Sequence, residues 1–420
     1  MRLTQERRSR AKRSQNAAAR SRQTDAMEPP GDNNNADLCG LAWTPLLLAA
    51  KVGDAVTVRR LLELGESAEG ESADASRTMC TPMSVAAAFG HAHIVQLLQA
   101  AGAGPDTVSL CPHGRHLDLD LEGSVVHTTP LISAAVEGHT ALVELLISHG
   151  ARHDLAIPLR GTALASAVLS QYNLAAKADV VHALLRGGAD PNYQASDGTT
   201  ALFLAAREGY ADAAEALLLG GAHPGLRNAR GVSPLDAAAR EGKLEAIRTL
   251  LRRGADVNAR SPLGDSVIRF APQFDIAVVR ALLDAGANPE VANHLGWTAL
   301  LAASHCGVAE VVTELVSRGV RLDRAILSGK NALTLAAENE RHAVVELLLA
   351  AGMVPNTATS PLGLYNMYRR ERREREDTEA LLAQERAKIG RFTYAIPHMV
   401  AAAAQSAGWG RGLGPPNATP

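Results

Sequence analysis

Three groups of side chains in this chain have the types and spacing that do chemistry. Cys111, His113 and His116, with Asp118 close behind, bring together a thiol and two imidazoles, and these are the ligands zinc takes. Their spacing matches no closed four-ligand site, so the segment is read as holding no metal and as a loop that adds a partner contact. The second group is basic: Arg207, Arg227, Arg230, Arg240 and Arg260, interleaved with Glu208 and Glu241 and followed by His294. Guanidinium suits bidentate capture of carboxylate or phosphate and is enriched where protein partners grip. The third group is Arg7, Arg8, Arg10, Lys12 and Arg13, in a stretch of 22 residues with eight cations against Glu6 alone, a local charge of +7. No phosphate-cradling glycine loop and no nucleophile elbow accompany them, so neither an enzyme nor a bound cofactor is expected.

The elements that must position these groups repeat. TALFLAAREGYADAAEALLLGGAH from Thr200 aligns with SPLDAAAREGKLEAIRTLLRRGAD from Ser233, 33 residues later. Self-similarity at such a period marks a stacked array. In the second copy Ser233 can cap a helix that begins at Pro234, where the missing N–H costs nothing. Leu235, Ala238 and Ala239 give that helix a small apolar face; Gly242 ends it. A second helix places Ala246, Ile247, Leu250 and Leu251 on one stripe, and Gly254 stands where a left-handed cap is wanted. A helix pair this small cannot cover both its apolar faces, so it needs copies on either side.

The copies start at Thr44, Thr81, Thr129, Thr162, Thr200, Ser233, Ser266, Thr298 and Asn331, at spacings of 37, 48, 33, 38, 33, 33, 32 and 33. The unit resembles the ankyrin repeat, whose Thr-Pro-Leu, Ala-Ala, Gly-His and Leu-Leu pattern is nearly intact in TPLISAAVEGHTALVELLISHGA from Thr129. The resemblance covers about residues 44 to 356. It implies an all-α solenoid of stacked helix pairs with short hairpin or turn fingers, and a groove lined by the first helices and finger tips that binds a protein partner. One departure stands out. The family's His after Thr-Pro-Leu, bonded to the Thr hydroxyl, is replaced by Leu47, Ser84, Ile132, Ala165, Phe203, Asp236, Arg269, Leu301 and Thr334. That hydrogen bond is therefore expected to be missing throughout.

Composition agrees with a thin core tiled by small residues: 46% of the chain is hydrophobic and only 3% aromatic. The net charge of −2 argues against a surface that coats nucleic acid, and the four scattered cysteines argue against a disulfide framework. No apolar run is long enough for a membrane span, and no signal-peptide core follows the first basic residues, which points to a soluble intracellular monomer, cytoplasmic or nuclear.

Four segments are expected: a basic disordered arm over 1–36, the repeats over 37–357, a charged helical segment over 358–390 and a disordered tail over 391–420. The arm is either a nuclear-import signal or a solvated tail. Between the second and third repeats, residues 105–128 are an insertion. Leu117, Leu119 and Leu121 alternate there with acids in the period of an extended hairpin. The seventh repeat is degenerate, with Pro272 and Phe274 where small residues normally pack, so it is either a soft joint or harmless drift. Arg227 and Arg260 occupy equivalent finger positions, and Arg207 and Arg240 equivalent helix positions, forming a basic stripe over repeats five to seven. Ala-Arg-Glu-Gly is equally ordinary for a solvated helix. Asn258 lies in a context where the family's asparagines are hydroxylated, which is also simply the repeat consensus. The expected function is a non-enzymatic scaffold that binds a protein. The alternatives are a nuclear regulator whose basic arm touches nucleic acid or chromatin, and a substrate adaptor for a ubiquitin ligase.

Overall fold

The structure is a computed structural model that describes residues 44–70, 80–111, 126–157, 161–171, 174–270, 275–354, 377–378, 380–382 and 384. The basic arm, His113, His116, Asp118, Trp43, Pro272 and Phe274 lie outside the described residues, as does the tail. Cys111 is described in its backbone only. The described residues form two compact units, one running to Arg152 with Ile157, the other made of His153–Ala156 and the residues from Gly161 onward.

The first unit holds three helix pairs: α1 (Pro45–Val52) with α2 (Ala55–Glu63), α3 (Pro82–Ala88) with α4 (Ala92–Ala100), and α5 (Pro130–Glu137) with α6 (Thr140–Ser148). The insertion leaves α4 through β1 (Ser109–Cys111) and returns through β2 (Val126–Thr128), antiparallel with Ser109 opposite Thr128. The base of the expected hairpin is therefore present, while residues 112–125 lie outside the described residues.

The second unit holds six pairs. They are α7 (Ala163–Leu169) with α8 (Lys177–Arg186), α9 (Ala201–Glu208) with α10 (Ala211–Leu219), and α11 (Pro234–Arg240) with α12 (Leu244–Arg252). Next come α13 (Val267–Phe270) with α14 (Ile276–Asp284), α15 (Ala299–Cys306) with α16 (Ala309–Ser317), and α17 (Ala332–Glu338) with α18 (His342–Ala350). Within the extra residues of the fourth repeat, Leu174–Ala176 form a 3-10 turn before α8. Residues 377, 378, 380–382 and 384, within the segment expected to be a charged helix, are helical.

Each pair is built as the repeat pattern dictates. The Ser/Thr/Asn residue before the first helix accepts a hydrogen bond from the backbone three residues on: Thr44 from Leu47, Thr129 from Ile132, Thr200 from Phe203 and Thr298 from Leu301. This satisfies a donor that the helix itself leaves open. The seventh repeat departs. Ser266 Oγ is buried with no hydrogen-bond partner among the described residues, and α13 is one turn long. The largest fully buried side chains are aliphatic or Met, among them Leu46, Met83, Leu98 and Leu131 in the first unit and Leu164, Leu184, Leu202 and Leu217 in the second.

The side-chain bond expected to be absent is in fact made where the replacing residue can make it. Thr81 Oγ1 donates to Ser84 Oγ at 2.9 Å, Ser233 Oγ to Asp236 Oδ2 at 2.8 Å, and Thr334 Oγ1 to Asn331 Oδ1 at 3.0 Å. The expectation of a bond missing throughout fails at these three repeats.

Five fingers of the second unit end in tight turns: Ala195–Gly198, Asn228–Gly231, Ser261–Gly264, Asn293–Gly296 and Ile326–Gly329. In each, the glycine N–H donates to the first residue's carbonyl at 2.8 to 2.9 Å. These glycines have φ between +71° and +84°, a region that glycine enters without strain. Gly198 is constrained twice, since a Cβ there would stand 2.7 Å from the Ala229 nitrogen of the next finger. Gly329 has φ +79° and open space around it. Gly329→Ala is therefore expected to cost only left-handed strain, about 1 kcal/mol, and Gly198→Ala about 2 to 3 kcal/mol. Urea unfolding of the two variants, compared with the parent, reads the difference.

Candidate functional site: the inner face of the second unit

Fingers and first helices of the second unit share one face, because side chains bridge them. Arg227 of a finger meets Asp236 of α11, Trp297 packs edge-on against His305 of α15 at 5.6 Å, and Lys330 meets Glu338 of α17 at 2.8 Å. The second helices are tied to one another by ion pairs, Arg253 with Glu215, Arg280 with Glu314 and Arg318 with Asp284. The candidate arginines lie on the inner face, and they are not equivalent.

Finger positions 194, 227 and 260 form a ladder of clamps. Gln194 Nε2 donates to the carbonyl of Gly198 in its own turn and to that of Arg227 in the next finger, both at 3.2 Å. Arg260 repeats this with Gly264 and Ala292. Arg227 Nη1 donates to the Gly231 carbonyl and to Asp236, each at 2.8 Å, and Asp236 is 2% exposed. Breaking such a pair strands a buried carboxylate. Arg227 and Arg260 thus commit part of their donors within the fold.

Two other candidates also have partners. Arg207 pairs with its neighbour Glu208 at 2.8 Å, and Arg230, at a finger tip, acts on Asp197, whose carboxyl is held below its ordinary range chiefly by its hydrogen bonds to Thr199. Arg240 differs. It makes no ion pair with a described residue; its guanidinium lies over the Phe270 ring, 3.7 Å from the centroid. Desolvation there lowers its pKa, against the opposing pull of the nearby Asp236 and Asp265 carboxylates and with the Arg269 charge adding to the lowering. Arg269 lies 4.3 Å from the same centroid and pairs with the buried Asp265 at 2.5 Å, and Asn293 also donates to Asp265. Glu241 is exposed beside Arg240. His294 is exposed at the next finger tip, its N–H bound to the Leu263 carbonyl.

Asn258 is exposed, yet its amide joins two repeats: Nδ2 donates to the Gly286 carbonyl at 2.9 Å and Oδ1 accepts from Asn288 N–H at 2.8 Å. Asn192 does the same with Gly221 and His223. Among the described residues no cluster of His, Cys, Asp and Glu could hold a metal. The Cys111, His113 and His116 group lies outside the residues whose side chains are described.

These pairs, caps and turns recur over both units, and family models match them. The model for ankyrin repeats matches residues 172–261 and 269–359, and the single-repeat model matches 127–157, together just over half of the chain. The chain belongs to the ankyrin repeat family. A solved structure, the ankyrin repeat domain of Bcl-3, described as a unique member of the IkappaB protein family, is 29% identical. It covers 53% of this chain and 98% of that one with a TM-score of 0.47. The Mus musculus ankyrin repeat, SAM and basic leucine zipper domain-containing protein 1 is 34% identical over 98 residues, 22% of this chain. The chain spans about a fifth of the length of that curated relative. No helix among the described residues is long and apolar enough to cross a membrane.

One ionisable residue of this ankyrin face gave no signal in the sequence. Lys177, in the inserted stretch of the fourth repeat, is 5% exposed. Its Nζ donates to the carbonyls of Val168 at 2.6 Å and Ser170 at 2.5 Å and stands 3.4 Å from the Tyr210 ring centroid. The lysine closes the end of α7, where four carbonyls lack helical partners. Only its chain position could have hinted at this, four residues beyond the usual start of a second helix.

Burial pushes the Lys177 pKa down from 10.5 to about 8, against an opposing pull from Glu208, and burial raises the Tyr210 phenol above its ordinary value. Between pH 8 and 10.5 the unfolded chain carries a proton that the folded chain has shed, so this group makes stability rise with pH. The slope approaches ~1.4 kcal/mol per pH unit at most. Lys177→Met is expected to remove it. Urea unfolding of parent and variant from pH 7.5 to 9.5 should show their difference widening in the parent's favour as pH rises.

Proposed function

We propose that this chain is a non-enzymatic scaffold that holds a protein partner against the inner face of its second unit, with a partner carboxylate on Arg240. Ankyrin repeats are a protein-interaction fold, and the reading of this face rests on one observation: the Arg240 guanidinium lies over the Phe270 ring, 3.7 Å from its centroid, with no ion pair to a described residue. A guanidinium stacked on a ring keeps its in-plane N–H groups for a planar anion while its rotamer is already fixed. Ordering it on binding therefore costs little. Arg207, Glu208, Arg230, Glu241 and His294 are the further polar groups of these fingers and first helices, where charges steer encounter more than they hold. Arg227 and Arg260 contribute through the shape of the fingers they clamp.

Affinity capture with mass spectrometry from cells expressing the full chain or its Arg240→Ser variant tests this reading. Circular dichroism first establishes that both are equally helical. The partner recovered with the parent should bind the variant about 10- to 100-fold more weakly, as for a lost charge-assisted hydrogen bond. If every partner is kept at parental strength, the carboxylate contact at Arg240 is refuted. Arg227→Glu or Arg260→Glu would not serve, because either loosens the fingers.

A further inference from the structure

A serine or threonine precedes a proline at five points among the described residues, and the fold uses four of these pairs alike. Thr44-Pro45, Thr81-Pro82, Thr129-Pro130 and Ser233-Pro234 each open a first helix, with the hydroxyl accepting the N–H three residues on. Thr81, Thr129 and Ser233 are buried there. Ser261-Pro262 stands elsewhere. It forms the first half of the finger turn Ser261–Gly264, with Ser261 half-buried and Pro262 and Leu263 exposed.

Nothing in the repeat prescribes that pair. The other four fingers begin their turns with Ala195-Ser196, Asn228-Ala229, Asn293-His294 and Ile326-Leu327. Asparagine serves the turn better. Asn228 Oδ1 accepts the N–H groups of Arg230 and Val232, both at 3.0 Å, and Asn293 Oδ1 accepts those of Leu295 and Trp297 at 3.0 and 2.9 Å. The shorter Ser261 side chain accepts from Leu263 at 3.2 Å and Asp265 at 3.1 Å. Pro262 removes a further bond. Ala229, His294 and Leu327 each donate an N–H to the preceding tip, and Pro262 has none to give. Among the described residues, one backbone bond joins this tip to another, from His294 N–H to the Leu263 carbonyl. The pair thus weakens the finger that carries it.

From this exposed, out-of-register pair we infer that Ser261 is a phosphorylation site for a proline-directed serine/threonine kinase. Proline holds the residue before it extended, the form in which a kinase cleft takes its acceptor. The Ser261 hydroxyl oxygen attacks the γ-phosphorus of ATP as the bond to the β,γ-bridging oxygen breaks; ADP leaves, and the hydroxyl proton passes to the base of the kinase. The phosphate adds about −1.5 to −2 charge to a finger, residues 259–264, whose one charged side chain is Arg260. The two amides already aimed at the Ser261 oxygen suit an anion. Ser233 carries the same dipeptide and is denied the reaction, because its buried hydroxyl donates to Asp236 Oδ2 and caps α11. Modification of Ser261 does not depend on a partner at Arg240.

The folded full chain is incubated with ATP, Mg²⁺ and each of two purified proline-directed kinases, one cyclin-dependent and one mitogen-activated. Ser261→Asn and Pro262→Ala variants are treated in parallel, and phosphate is mapped by mass spectrometry of proteolytic peptides. Both variants restore residues that the neighbouring finger carries at 228 and 229, so their circular dichroism and urea midpoints should equal or exceed the parent's. Ser261 is expected to be modified at least ~100-fold faster than Ser233, whose exposure requires its repeat to unfold. Pro262→Ala should slow the modification of Ser261 about tenfold or more, and Ser261→Asn should abolish phosphate in this finger. Ser233 modified as fast as Ser261 would show that an unfolded chain is the substrate, and would overturn the inference. So would phosphate found only outside this finger with both kinases, or Pro262→Ala modified at the parental rate.

Discussion

A pair of helices seven to nine residues long has no interior of its own, and this chain depends on the neighbour that supplies one. Nearly every residue of a first helix such as α5 is buried, Leu131, Ile132, Ala134 and Ala135 to 2% exposure or less. One flank alone could not cover them. The alanines matter for this reason, since a small residue at Ala134, Ala205 or Ala303 lets the next first helix come close. Each leucine closed off in this way is worth ~1.5 to 3 kcal/mol, but only while its neighbour is folded. Stability is consequently shared between adjacent repeats instead of residing in any one.

Apolar burial sets the distance between repeats; hydrogen bonds set their register. Asn192 and Asn258 each tie the end of one second helix region to the next, and Gln194 and Arg260 each reach from one finger to a carbonyl of the following one. A glutamine and an arginine perform the same task because each places an N–H group over the turn glycine's carbonyl and a second toward the neighbour. What looks in the sequence like a variable surface position is thus a structural one, and the charge at Arg227 and Arg260 is incidental to part of its use.

The sequence made legible whatever the repeat enforces. Helix starts at Thr44, Thr129 and Ser233, the breaks near Gly242 and Gly254, and the turns ending in glycine all follow from residue type and period. Side-chain partnerships did not follow, because they are decided by which neighbour is within reach. Arg207 and Arg240 occupy equivalent positions in identical Ala-Arg-Glu-Gly segments. The first pairs with Glu208, while the second lies on Phe270, because the seventh repeat offers a ring there. Lys177 was hidden for a related reason: a lysine reads as solvated until the end of α7 leaves carbonyls for it to close. The Ser261-Pro262 pair was visible as letters, but its exposure became meaningful only with the turns in place.

The features that distinguish this face gather where the repeat is least regular. At Pro262 the chain lacks the N–H that Ala229, His294 and Leu327 use to bond the preceding tip. Just beyond, Ser266 caps nothing and α13 is a single turn. The lost bonds are offset by polar contacts: Asp265 takes Arg269 and Asn293, and the ring of Phe270 takes Arg240 and Arg269. The equivalent position in the unit's other repeats holds Ser166, Leu204, Ala237, Ala302 or Leu335, none of which offers a ring to Arg240. Irregularity therefore creates the one candidate guanidinium that lies over an aromatic ring among the described residues. Surface chemistry in such an array can change freely only where the repeat's own hydrogen bonds no longer prescribe the residue. The seventh repeat supplies that freedom in the middle of the unit, with regular repeats on both sides to hold it.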